Sequence, residues 1–207
     1  GWQGRSILFA GRTDTGVHAR GQVIAFDLEW QHGPAALLRV LNHNLPKDVS
    51  ALSVKVAETN FQPRFDAIAR EYRYSLFTSR QRDPLREYSA WRVWPAVELP
   101  LLTQAADLLI GIHDFKAFGS PTSENGSTIR QIFEAEWKQL NDEFSFKVVA
   151  NAFLYRMVRR MVYLQVRVGQ GKLSLEDLKN LLEVPNPAAP GLAKPQGLVL
   201  ESVYYPV

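Results

Sequence analysis

The sequence predicts an α+β fold built from two similar halves. Three observations carry this. Strand-like apolar runs alternate with helical stretches along the whole chain, and each half carries both in mixed order. The stretch from Pro95 to Pro100 reads as a domain boundary, dividing an N-terminal half, 1–95, from a C-terminal half, 96–207. A chain of 207 residues, 46% apolar and 22% charged, is long enough to bury a real core and too apolar for disorder.

The elements follow in order. Ser6–Phe9 is a short apolar run ending at Gly11, and Gln22–Leu28 alternates, with Ile24, Phe26 and Leu28 on one face. Between them, Gly-Arg-Thr-Asp-Thr-Gly is a loop by composition. Pro34–Leu45 reads as a helix with Leu37, Leu38, Leu41 and Leu45 on one side. Leu52–Ala57, Arg70–Thr78 and Tyr88–Trp94 read as strands; in the second, Tyr72, Tyr74 and Leu76 share a face, while Arg73 and Phe77 take the other.

In the second half, Leu101–Ile110 is a helix and 119–128 is a Gly/Ser/Pro/Asn loop. Ile132–Leu140 and Phe144–Ala150 are strands. Ala152–Val168 is helical at least in its first half, its apolar stripe made of Phe153, Leu154, Met157, Val158, Met161 and Val162, with Arg156, Arg159, Arg160 and Tyr163 opposite. Ser174 and Asp177 open a short helix as a capping box, Pro185 marks its end, 186–196 is a Pro/Ala loop, and Leu198–Tyr204 is a final strand.

No apolar run reaches the roughly 18 residues needed to span a bilayer, and no signal-peptide apolar stretch is present, so neither a membrane partner nor export is expected. The chain has no cysteine, which removes disulfides, thiolate catalysis and cysteine zinc sites and fits a reducing, cytoplasmic setting. No two of His18, His32, His43 and His113 are spaced i+3 to i+5, so no metal site is expected.

The net charge of +3 conceals a concentrated basic footprint. Residues 151–172 hold Arg156, Arg159, Arg160, Arg167 and Lys172 with no acid, and 62–82 hold five arginines against Asp66 and Glu71. Arginine suits planar, bidentate phosphate recognition. If these segments share a face, an anionic partner such as nucleic acid is indicated; if they do not, the charge is solvated surface.

Three constellations carry possible chemistry. Gly11-Arg12-Thr13-Asp14-Thr15-Gly16-Val17-His18-Ala19 places an aspartate among polar groups in a turn, where it is either a turn-forming residue or a catalyst. Arg64-Phe65-Asp66-Ala67, followed by Arg70-Glu71-Tyr72-Arg73-Tyr74, interleaves aromatics with arginine, a pattern fit either for stacking a base or for a strand with one core face. The basic helix leaves Arg156, Arg159 and Arg160 without acids at i±3 or i±4, so a partner must come from elsewhere, either an RNA phosphate or a carboxylate such as Asp14.

These three segments, in this order, resemble the tRNA pseudouridine synthase A family. Gly-Arg-Thr-Asp-x-Gly-Val-His-Ala looks like its catalytic loop, Arg70-x-Tyr72-x-Tyr74 like its second motif, and Phe153-Leu154-Tyr155-x-Met157-Val158-Arg159 like its third. Leu41-Asn42-x-x-Leu45-Pro46, Phe65-Asp66-Ala67, His113-Asp114-Phe115 and Gly197-Leu198-x-Leu200 add to the likeness. One departure stands out. Family members carry an amphipathic helix between Gly-Trp-Gln and the strand before the catalytic loop, whereas only Gly4–Ala10 separates Gln3 from Gly11 here; residues are therefore expected to be missing before residue 1 and near 3–5. The third motif also carries Arg156 where His is common, and Arg160 and Tyr163 where Asn and Gly are usual.

The resemblance implies mixed or antiparallel sheets flanked by helices, with a basic cleft between the halves. It implies isomerisation of uridine to pseudouridine in the anticodon stem-loop of tRNA, at tRNA positions 38, 39 and 40, by a homodimer needing no cofactor or metal. Asp14 would be the essential carboxylate, Arg159 its partner, and Tyr72 the residue that stacks on the target base and takes a proton. Arg12, Arg64, Arg70, Arg156 and Arg160 would hold backbone phosphates. Two other classes stay open: a catalytically silent RNA-binding homologue, and a glycosidase-like hydrolase, which needs a second carboxyl about 5–5.5 Å from Asp14, Asp66 being the nearest candidate by motif.

Overall fold

Strand pairing joins His18–Ala19 to Val199–Leu200, across most of the chain's length. The computed structural model describes residues 7–123, 126–183 and 189–206. The expected gap near 3–5 lies outside them, as do Pro185 and parts of both expected loops. The described residues hold β1 (Leu8–Phe9), β2 (His18–Ala19), β3 (Ile24–Ala25), α1 (Pro34–Asn44), β4 (Ala69–Thr78), β5 (Trp91–Val93), α2 (Leu99–Asp107), β6 (Gly111–Asp114), β7 (Ile129–Leu140), β8 (Glu143–Ala150), α3 (Met157–Gly169), α4 (Leu175–Glu183) and β9 (Leu198–Tyr204). The class is α+β, as expected, and no described helix is long and apolar enough to cross a membrane.

The chain forms two compact units, one from the described residues of Gly1–Ala10 and Val23–Asp66, the other from those of Gly11–Gln22 and Ala67–Val207. In the first, β1 pairs with β3 antiparallel. Helix α1 begins with Pro34 at its first turn, and its leucines are only half-buried, so the predicted stripe is present but covered lightly. Asn42 clamps the following loop, receiving Ala51 N–H at 2.7 Å and donating to Ala51 O at 2.9 Å. The strand expected over Leu52–Ala57 does not form. Leu52 and Val56 are 76% and 88% exposed, and the segment joins no ladder, without which alternation alone does not make a strand.

In the second unit a seven-stranded sheet runs β2-β9-β4-β8-β7-β6, with β5 beside the C-terminal end of β4. The β2–β9 and β4–β5 pairs are parallel and the others antiparallel. Strands from both sides of Pro95 thus share one sheet. Tyr74 and Leu76 of β4, Phe144, Phe146 and Val148 of β8, and Ile132 and Trp137 of β7 are buried in one cluster with residues of α2, α3 and α4. Each fully buried large side chain of this kind contributes about 1.5–3 kcal/mol. Trp137 stacks on its register partner Phe146 at 5.0 Å, and its indole N–H donates at 2.8 Å to Gln165, which is fully buried. On the opposite face, Phe77 lies 4.0 Å beneath the guanidinium of Arg86, which forks onto Asp142 at 2.8 and 3.1 Å.

Helix α3 starts at Met157, not at Ala152. Arg156 takes φ 64°, ψ 9°, a left-handed conformation that a right-handed helix excludes, and Tyr155 N–H bonds instead to Ser120 O at 2.9 Å. Two short strands that the sequence did not predict, β2 and β6, depend on distant partners. His113-Asp114-Phe115 serves this architecture: His113 Nε2 lies 2.9 Å from Ile110 O, and Asp114 accepts from Lys116 N–H at 3.0 Å. The Ser174–Asp177 capping box forms at the start of α4 as expected, with Ser174 Oγ 2.6 Å from Asp177 Oδ2.

Candidate active site

The loop 11–22 is closed at both ends within the second unit. Gln22 donates through Nε2 to Gly11 O at 2.7 Å. His18 and Ala19 pair with Val199 and Leu200, and Arg20 N–H then bonds to Leu200 O at 2.8 Å. Between these anchors Asp14 opens a turn, its carbonyl accepting Val17 N–H at 3.0 Å. Gly16 in that turn has φ +83°, and a Cβ there would stand 3.2 Å from Pro195, so both backbone conformation and contact call for glycine.

Asp14, with a side chain 18% exposed, receives Nη1 of Arg159 on Oδ2; Nε of Arg156 lies 3.8 Å from the same oxygen. Arg159 is itself held. Its Nε donates to Ala193 O at 2.9 Å, and its own carbonyl accepts Ala193 N–H at 3.1 Å. Arg156 lies with its guanidinium carbon 4.7 Å from the Tyr155 ring centroid.

Tyr72 comes from β4 at a bulge. The β4–β9 register passes from Glu71↔Ser202 to Tyr72↔Leu200, leaving Glu201 as the extra residue, and bulges re-aim the side chains beside them. Its ring meets Phe153 edge-on at 5.1 Å. A methyl group at Gly11 would stand 3.9 Å from the Tyr72 hydroxyl, which places that hydroxyl beside the loop. Burial pushes the Tyr72 phenol up to about 12, against the lowering effect of Arg70 and with a further rise from the negative charge of Asp14.

The remaining expected arginines are distributed as follows. Arg12 is exposed on the loop. Arg70 donates through Nη1 to Ala67 O at 3.1 Å and Asn151 O at 2.9 Å. Arg160 donates through Nε to Ala189 O at 2.7 Å and through Nη1 to Phe118 O at 2.8 Å. Arg64 and Asp66 belong to the first unit. Arg64 lies 5.5 Å from the Phe65 ring centroid, and Asp66 accepts Gln62 N–H at 2.7 Å within a turn. Among the described residues no group of His, Asp and Glu is placed to hold a metal.

Sequence reasoning missed the segment 189–197, which supplies the Ala193 carbonyl to Arg159 and Pro195 to the loop. Side-chain types gave little signal for it, because most of its contacts run through backbone N–H and carbonyl groups.

A carboxylate fixed by a guanidinium, with a half-buried tyrosine near its loop, holds one charged oxygen in a set direction. The comparisons identify the family. A family model described as tRNA pseudouridine synthase matches residues 105–206. Proteins named tRNA pseudouridine synthase A are similar over nearly the whole chain. That of Exiguobacterium sibiricum is 34% identical, over 97% of this chain and 80% of its own length. That of Bacillus subtilis is 34% identical, over 96% and 81%. That of Methylacidiphilum infernorum is 38% identical, over 95% and 78%. Identity at this level across four-fifths of the relatives' length means that the chain belongs to the tRNA pseudouridine synthase A family.

Proposed function

We propose that this chain isomerises uridine to pseudouridine in the anticodon stem-loop of tRNA, at tRNA positions 38, 39 and 40. The observation that carries the reading is the Asp14–Arg159 pair, formed by two of the motifs that resemble the family's. The reaction breaks the N1–C1′ bond, turns the uracil and joins C1′ to C5. C5 loses a proton and N1 ends protonated, so atoms balance with no redox partner and no cofactor. Asp14 either attacks C1′ or removes the C2′ proton, and on both routes the oxygen that reacts must be aimed, which is the task assigned to Arg159.

Tyr72 stacks on the uracil. With its phenol pushed up to about 12, it is neutral at neutral pH. It therefore acts as a relay: it takes the proton from C5 while its own passes to water, and water protonates N1. The uridine must leave its stack, at a cost of a few kcal/mol. Arg12, Arg64 and Arg156 offset that cost through backbone phosphates. Arg70 and Arg160 are grouped with them on charge, but each donates to two backbone carbonyls, which supports an internal task. The family resemblance supports a cytoplasmic homodimer with tRNA running across both subunits.

The guanidiniums beside Asp14 favour isomerisation over hydrolysis, which would need a second carboxyl about 5–5.5 Å away. The test is nucleoside analysis of an unmodified tRNA transcript treated with the protein. Pseudouridine at 38–40, isomeric in mass with uridine, is expected. Free uracil would indicate a hydrolase, and binding without conversion a silent RNA-binding protein.

A further inference from the structure

The segment 189–197 lies across α3 and is held by contacts along its described length. Ala189 N–H bonds to Ala117 O at 2.8 Å, while Ala189 O receives Arg160 Nε at 2.7 Å. Gly191 has φ +89°, and a Cβ there would lie 2.2 Å from the Tyr163 ring, so the backbone passes directly over that ring. Ala193 is fully buried and bonded to Arg159 through both its N–H and its carbonyl. Lys194 O receives the Tyr74 hydroxyl at 2.7 Å, and Pro195 abuts Gly16 of the catalytic loop.

We infer that Arg160 is a positioning residue for the Asp14–Arg159 pair, acting through this segment. A guanidinium is planar and rigid, so fixing Nε of Arg159 on Ala193 O fixes the direction in which Nη1 meets Asp14. The Ala193 carbonyl is only as well placed as the segment that carries it. Arg160 ties that segment at Ala189 and ties the Phe118 turn to the same guanidinium, one residue along α3 from Arg159. Lysine at 160 keeps the charge but, with a single compact ammonium, does not reproduce the fixed fork that holds both carbonyls. Partial burial of the Arg160 guanidinium, together with its two carbonyl contacts, favours this internal task over contact with an outside phosphate.

The inference rests on the proposed reaction for its catalytic consequence, but the orientation of Arg159 is measurable without turnover. Two variants are compared with the wild-type chain, Arg160→Lys and Gly191→Ala; the second leaves Arg160 in place and drives the segment off the Tyr163 ring. The first readout is protection of the Arg159 Nε–H against solvent exchange, by NMR. The second is single-turnover pseudouridine formation at saturating tRNA, with tRNA Kd measured separately at several salt concentrations. The expected result is loss of Arg159 Nε–H protection in the folded variants and a fall in rate on the order of 10–100-fold. The Kd is expected to stay within about twofold and its salt slope unchanged. Undiminished protection in whichever variant folds overturns the inference. So does a weakened Kd with a salt slope lowered by about one unit and an unchanged rate, the signature of a phosphate contact. Absence of pseudouridine in the wild type, with Arg159 protected there and exposed in the variants, would overturn the proposed reaction while leaving the positioning role in place.

Discussion

Arg159 bridges Asp14, 145 positions before it in sequence, and the carbonyl of Ala193 with two edges of one guanidinium. One side chain thus ties together a loop, a helix and a connecting segment. Because both edges are in use, charge alone does not reproduce what Arg159 does.

Arg159→Lys is therefore expected to fold and to bind tRNA, but to lose about 10²-fold in rate, since an ammonium cannot hold both partners in one plane. Single-turnover kinetics at saturating tRNA check this. A rate within threefold of the wild type would show that a nearby positive charge is sufficient.

Tyr72→Phe keeps the ring and deletes the hydroxyl. The tRNA Kd should hold while conversion slows by about 10²–10⁴-fold, the usual range for losing a positioned proton-transfer group. Tyr72→Leu should weaken binding as well, because it removes the stacking surface. Unimpaired turnover in both variants would leave Tyr72 as a packing residue against Phe153.

Alkaline stability follows from the same residue. An unfolded tyrosine ionises near 10, while folded Tyr72 holds its proton to about 12. The stabilisation is therefore complete below pH 10 and is lost as pH rises from 10 to 12, where only the unfolded chain gains the phenolate. Denaturant titrations from pH 8 to 11.5 should show this decline, and it should be shallower in Tyr72→Phe.

Core architecture offers an independent check. Gln165→Leu removes the acceptor for the buried Trp137 indole N–H, at an expected cost of about 1–3 kcal/mol. Adding Trp137→Phe removes the stranded donor, so urea unfolding should show the double variant losing less than the sum of the two single losses.

Much of this was legible in the sequence, and the reasons are physical. Arg70–Thr78 and Phe144–Ala150 alternate because each has one face in the core, and both are strands within one residue of the expected bounds. Arg159 has no acid near it on its own helix, which pointed to an RNA phosphate or a carboxylate such as Asp14, and its side chain contacts Asp14. Three things were not legible. The strand at His18–Ala19 is two residues long and exists only by pairing with Val199–Leu200 at the far end of the chain. The bulge at Glu201 leaves no mark on periodicity. The partners of Arg160 are backbone carbonyls, which every residue carries, so no residue type announces them.

Asp14 carries the central claim, and release of tritium from tRNA labelled at uridine C5 tests it most directly, because C5 must lose its hydrogen when it bonds to C1′. The wild-type chain should release tritium in proportion to pseudouridine formed. Asp14→Asn should release none while its tRNA Kd stays within about tenfold, or about 1.4 kcal/mol, of the wild type. Release by Asp14→Asn above a tenth of the wild-type rate would contradict the account.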